Sequence, residues 1–521
     1  MPAQRCAVWW IVLVSGFGWF GGTGQVLAQA PREMLPQPKP VPTIELPPSP
    51  PSILPAEVNA IDLPSALRLA GVQNPEILLA RQRVTEAVAT RQLAAAQFLP
   101  TINLGTNYDT HTGPLQRSTG QIIQENRGAL YLGLGAYAVG AGTVNVPGVV
   151  LAGNVSETIF AALVTRQIVR QREFAATAVR NDVLLAVAVG YLELLRAEGR
   201  LAVALRTRGE AREVARVTAA YAKTGRGRQA DADRAATELE QRNADVLQAE
   251  GDLLTASARL AQVLDLDPSV RLRAVDGAVV PAPLVPDPIP LPELLVIALT
   301  RRPELGERQA AIRAGLLALR GAKLLPFSPN VVLGFSAGEF GGGSNLAAEG
   351  ILQADGTILQ QPRFGSFDQR VDFDAVVYWS LRNLGLGNLA LVRLAQSRLR
   401  AEELRRIEVL DRVRAEVATA YARTHARFAQ IATGERAVRS SQEAFREDLT
   451  RTRNGEGLPI EVIDSLRLLG RSRYAYLDAI VDYNRAQFEL YVALGQPPAD
   501  CLARPVPADV VLPAASPERR P

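Results

Sequence analysis

The feature that most constrains this chain is that its two halves repeat each other. LPSALRLAGVQNPEI at 63–77 is echoed by LPELLVIALTRRPEL at 291–305, 228 residues later. Pro329 follows Pro100 by 229 residues, and Tyr421 in VATAYARTHARF follows Tyr191 in VAVGYLELLRAE by 230. Gly225 and Gly455, like Leu264 and Leu494, keep that spacing of 230. A drift of two residues over a whole half marks an internal duplication.

Each half places the same parts in the same order. QLAAAQFLPTINLGTNY at 92–108 opens as an alanine-rich helix and, past Pro100, alternates as a strand. LRGAKLLPFSPNVVLGFSAG repeats that junction around Pro329. The first half predicts helices over 63–97, 158–224 and 229–264, with strands near 101–109 and 127–139. The second predicts helices over 291–325, 385–453 and 459–494, with strands near 330–340 and 366–380. The long helix of each half would run about 100 Å at 1.5 Å per residue, and the two shorter ones laid end to end match it.

Between and around the halves lie proline-rich segments. Ten prolines fall in 31–55, a second cluster reads VVPAPLVPDPIPLP at 279–292, and a third begins at Gln496. The expected organisation is therefore a leader over 31–60, a first repeat over 61–278, a linker over 279–290, a second repeat over 291–495 and a tail over 496–521. Residues 1–30 read as an export signal. Arg5 precedes the apolar run Ala7–Phe20, and VLAQA at 26–30 offers small residues for cleavage. The run is shorter than the roughly 20 residues needed to span a bilayer and is interrupted by Gly16 and Gly18. Cys6 would leave with the signal, and Cys501 alone can form neither an intrachain disulfide nor a cysteine metal cluster.

The strand SFDQRVDFDAVVYW carries the strongest functional signal. Phe367, Val371, Phe373, Val377 and Trp379 alternate with Asp368, Arg370, Asp372 and Asp374. One face is apolar and the other charged, over the roughly 9–11 residues of a membrane-barrel strand, which points the apolar set at lipid. A one-sided sheet of a soluble domain shows the same alternation, but here each half supplies two strands, both springing from long helices. Four strands cannot close a barrel whose smallest members have about eight, so the strands imply three chains.

The span from about 61 to 495 resembles the TolC family of outer-membrane efflux proteins. The resemblance rests on NPEILLARQRVTEAVATRQLAAAQFLPTINL, its echo RPELGERQAAIRAGLLALRGAK, and NGEGLPIEVIDSLRLLGRSRYAYLDAIVDYNRAQFELYVALGQP. It implies a mainly α protein with a transmembrane β-barrel portion: a homotrimer whose twelve-stranded barrel in outer-membrane lipid continues into a twelve-helix periplasmic tunnel. It further implies docking onto a periplasmic adaptor (membrane fusion protein) and an inner-membrane efflux pump or ABC transporter, with the chain as a passive exit duct. No lipid anchor is expected without a suitably placed cysteine, and the insert at 341–365 departs from leaner members.

Two sets of candidate residues follow. Gly225, Arg226, Gly227, Gly455, Glu456, Gly457 and Pro459 predict turns at the periplasmic tip, since glycine suits a helix end and proline a helix start. Glu461 and Asp464, three residues apart, share a helix face and match the acidic pair that rings the entrance in TolC-like ducts. Asp231 matches an acid that ties neighbouring coils, with Arg226, Arg228, Arg451 and Arg453 as possible partners, whereas the family's tying arginine is replaced by Gly457.

Enzymatic chemistry finds no foothold. The two histidines, His111 and His425, lack metal-ligand spacing, and no phosphate loop or nucleophile elbow occurs. GLGLGN at 384–389 and GGGSN at 341–345 read as turns. No catalytic residue, cofactor or metal is expected, and a formal charge of +4 with scattered basic residues does not suggest nucleic acid. Competing classes are a periplasmic coiled-coil adaptor and a helical structural protein without a barrel. The adaptor would show a contiguous set of short strands. Cargo among drugs, metal cations and polypeptides is left open.

Overall fold

The computed structural model describes residues 58–139, 142–225, 227–267, 269–276, 278–286, 289–344 and 367–498. The signal segment, the leader up to residue 57, Arg226, the insert beyond Ser344, Cys501 and the tail from 499 lie outside the described residues.

Among the described residues there are eight α-helices and nine strands. β1 (Val58–Ile61) precedes α1 (Leu63–Gln73) and α2 (Pro75–Ala96); then come β2 (Thr101–Ile102), β3 (Leu104–Gln116), β4 (Ile122–Ala136), β5 (Val146–Pro147) and β6 (Val149–Asn154). α3 (Val155–Lys223) and α4 (Gln229–Val263) lead to β7 (Arg271–Ala274). α5 (Leu291–Arg301), α6 (Pro303–Leu324), β8 (Asn330–Ser344), β9 (Asp368–Tyr378), α7 (Leu386–Asn454) and α8 (Pro459–Ala493) follow. Helices of 11, 22, 69 and 35 residues occur in that order in each half.

The single helices expected over 63–97 and 291–325 are each broken in two, and proline is the cause. Asn74 and Arg302 precede Pro75 and Pro303, and the ring of a proline drives the preceding residue out of the helical region. Asn74 exploits the break: its Oδ1 accepts from the Glu76 and Ile77 amides at 2.9 and 3.4 Å, while its Nδ2 donates to the Val263 carbonyl at 2.9 Å. The two 69-residue helices contain no proline and run unbroken. In α3 the buried positions Leu184, Val187, Ala188, Tyr191, Leu192, Leu194 and Leu195 recur at helical spacing and form the main core with α1, α4 and α8.

Residues 58–60, assigned to the leader from sequence, belong to β1, which pairs in parallel with β7. The linker after β7 is extended and lies along α8. Asn484 and Gln487, 5% and 3% exposed, hold it: Asn484 Oδ1 accepts from Ala282 N, its Nδ2 donates to Val280 O, and Gln487 Oε1 accepts from Leu284 N and Val285 N.

The second sheet is antiparallel, in the order β3, then β4 and β6 end to end, β8, β9. β3 outruns its expected end at 109 because alternation continues to Gln116, and Pro114 is tolerated where the strand's other side has no partner. The strand expected over 127–139 is β4 displaced toward its turn, and its continuation as β6 after a 12-residue gap was not foreseen. Helix and strand meet twice at one place: Val155 N donates to Pro329 O at 3.2 Å and Ser156 N to Ser328 Oγ at 2.8 Å, while Asn154 Nδ2 donates to Ser328 O at 3.1 Å. The junction where β6 runs into α3 is thereby fastened to the one where α6 runs into β8.

Candidate functional site: a two-faced sheet and a helical tip

Residues paired across an antiparallel sheet point to the same face. Leu104, Leu134, Ala337 and Val371 are therefore on one side, as are Thr106 and Leu132, and Phe335 and Phe373. That side is apolar and bare: Leu104 is 78% exposed, Leu132 62% and Phe373 68%. Phe367, Val371, Val377 and Trp379 are exposed as well, with Trp379 Nε1 donating to Phe327 O at 3.3 Å where the strands meet the helices. Aromatics at the edges of an apolar band are what a lipid interface selects.

The opposite face carries Asn107, Tyr131, Ser336, Arg370, Asp372 and Asp374. Arg370 Nε donates to Asp372 Oδ2 at 2.8 Å, and its guanidinium lies 5.0 Å from the Phe340 ring centre. The sheet does not close on itself. The outer edges of β3 and β9 have no strand partner among the described residues.

At the far end of the long helices, Gly225 and Gly455 hold φ of 72° and 80°. A side chain there would be strained, and each glycine lets the chain leave a 69-residue helix. Gly227 N donates to Tyr221 O at 3.1 Å; Glu456 N and Gly457 N both donate to Arg451 O, at 2.9 and 3.3 Å. Pro459 then opens α8.

The three acids proposed for a constriction are not joined within one chain. Asp231 pairs with Arg234 on its own helix at 3.0 Å. Glu461 accepts from the Leu458 amide at 3.3 Å, so it also caps α8. Asp464 is exposed and 3.8 Å from Arg467. Arg453, a suggested partner of Asp231, binds Glu213 of α3 instead, at 2.8 Å.

Sequence reading missed the residues that tie the coils together. Glu213 accepts from Arg216 and Arg453, and the Tyr221 hydroxyl donates to the Arg453 carbonyl, so α3 is bound to α7 just above the tip. Glu238, 3% exposed on α4, takes Arg467 of α8 at 2.7 Å and Arg242 at 3.1 Å. The links from Arg453 to Glu213 and Tyr221 and from Arg467 to Glu238 join residues more than 200 positions apart, and no local pattern announces them.

Arg216, then Arg453, hold the Glu213 carboxyl down from 4.5 to about 2. A lowered folded pKa stabilises above the unfolded value and loses that contribution as pH falls through the folded one. The link's stabilising contribution should therefore be complete above pH 4.5 and be lost between 4.5 and about 2. Hydrogen exchange over 449–457, normalised to the intrinsic rate at each pH, should rise in that window. In Glu213→Gln it should be high throughout, and equal protection in both proteins at pH 7 would contradict the link.

Among the described residues no helix is long and apolar enough to cross a membrane, and no metal-holding cluster occurs. The fold is that of TolC-like outer-membrane channels. The chain is similar to the outer-membrane channel CmeC of Campylobacter jejuni, with 14% identity and a TM-score of 0.66 over 87% of this chain and 94% of that one. The outer-membrane protein VceC of Vibrio cholerae is similar at 16% identity and TM-score 0.63 over 83% and 96%. CusC, solved in a study of its transmembrane channel formation, is 20% identical with a TM-score of 0.64 over 84% and 94%. No protein-family model and no curated protein matches the sequence.

Proposed function

We propose that three copies of this chain form an exit duct in the outer membrane, a passive channel and not an enzyme. The observation that carries this is a sheet with one bare apolar face and two unpaired edges, standing on two 69-residue helices. Joining β9 of one copy to β3 of the next satisfies those edges, and three sets of four strands make a twelve-stranded barrel. Below it, α2, α3, α6 and α7 lie side by side, and farther down α4, α3, α8 and α7 do so. Four helices per copy at either level give a twelve-helix tunnel. The lower end, with Gly225, Gly227 and the glycine turn at 455–457, is the surface offered to a periplasmic adaptor and through it to an inner-membrane pump.

Glu461 and Asp464 ring the lower mouth in this reading, six carboxylates from three chains. Crowded acids attract cations into a constriction. Purified trimer in planar bilayers should be cation-selective and blocked by multivalent cations on the tunnel side. The Glu461→Ala, Asp464→Ala variant should lose both properties while conducting. Unaltered selectivity and block would leave these residues as helix-start acids alone, and absence of channels from the parent would refute the duct.

A further inference from the structure

The strand formed by β4 and β6 is interrupted in a way the barrel does not require. On β8, Phe335 and Ala337 are separated by Ser336 alone, but their partners Val149 and Leu134 are 15 positions apart. The surplus chain folds back on itself, with Val146 and Pro147 of β5 pairing Ala136 and Gly135. Gly135, at φ 105°, and Gly148 permit the crossing, since a Cβ on Gly148 would stand 2.4 Å from the Leu134 carbonyl carbon.

Besides this backbone pairing, side chains of the charged face hold the excursion. Asn107 bonds Ala138 twice, accepting from its amide at 2.9 Å and donating to its carbonyl at 3.1 Å. Asn103 Nδ2 donates to Pro147 O at 2.8 Å, Gly148 N donates to Ser336 Oγ at 3.1 Å, and Arg370 donates to Gly142 O. Ala138 and Val144 are buried against Tyr131, which is 0% exposed, whereas its neighbour Leu132 on the other face is 62% exposed. The packing is that of a built element, and the face it covers is the water side if the bare face meets lipid.

We propose that residues 137–139 and 142–148 form a strap inside the bore that narrows the duct and sorts cargo by size rather than charge. Tyr137, Thr143, Asn145 and Val146 are its exposed side chains, and none is ionised. Arg370, bonded to the Gly142 carbonyl, and Asp372 have side chains 16% and 17% exposed. Three chains bring three straps to one level. The inference rests on the proposed duct, from which it can be separated by test.

The test is conductance of Thr143→Cys in a chain with Cys6→Ser and Cys501→Ser, before and after reaction with small thiosulfonates of either charge. Either reagent should cut single-channel conductance by about half or more, because three adducts enter a narrow bore. The cationic adduct should shift selectivity toward anions and the anionic adduct toward cations. Leu132→Cys, on the opposite face, should show neither change. If Thr143→Cys does not assemble, Asn145→Cys should give the same pattern. Unchanged conductance and selectivity after full modification would overturn the strap while leaving the duct standing. A parent that forms no channel would overturn the duct and the strap with it.

Discussion

Phe373→Lys should all but abolish assembled protein in the outer membrane. Phe373 sits in the middle of β9, opposite Phe335 on β8, with its ring 68% exposed on the apolar face. A lysine at the lipid midplane of a barrel costs about 2–4 kcal/mol, and a trimer bears that cost three times. A fall of at least about tenfold in heat-sensitive trimer is expected from that magnitude. The matched control is Asp374→Lys, one residue along and on the charged face. Asp372 serves less well, because its bond to Arg370 would be replaced by two cations side by side. Asp374→Lys should assemble near the parental level, and equal loss from both would mean the faces are reversed or that no lipid is met.

Glu210→Ala should be the most damaging change in the helical part. Glu210 of α3 and Arg473 of α8 make two hydrogen bonds, at 2.6 and 2.8 Å, and the Arg473 side chain is 8% exposed. Removing the carboxylate strands a buried guanidinium, a loss of about 3 kcal/mol. Higher up the same seam Arg196 meets Asp478 and Asp482, and Arg200 meets Asp478 at 2.7 Å, so one broken rung weakens a ladder. Replacing both partners by apolar residues of similar size removes the stranded charge. Melting followed by helical circular dichroism should rank the parent and the Glu210→Leu, Arg473→Met double variant together, with Glu210→Ala well below. A single variant as stable as the parent would show that water reaches Arg473.

The repeating helices and the four long strands were legible because each rests on a periodic local pattern. Alternation from Phe367 to Trp379 is enough to separate an exposed apolar face from a charged one. Helix breaks at Asn74 and Arg302 were also written in the sequence, as N-P and R-P, but long alanine-rich runs masked them. Long-range features were not legible. The strap lies among small residues and glycines with no periodicity, and its place on the sheet is fixed by Asn103, Asn107 and Ser336 from elsewhere in the chain. The pairing of Arg453 with Glu213 rather than Asp231 depends on which helices lie side by side, as does the hold of Asn484 and Gln487 on the linker. β1 and β7 are four residues each and stabilise one another only across about 210 residues of intervening chain, too short and too separated for a local signal.

The most direct test of the central claim is the native mass of the protein extracted in detergent from isolated outer membranes. The account predicts one species containing three copies of a chain of at most 56.1 kDa, recovered from that membrane and from no other fraction. A single-copy species, or a protein recovered from the periplasm without detergent, would contradict it.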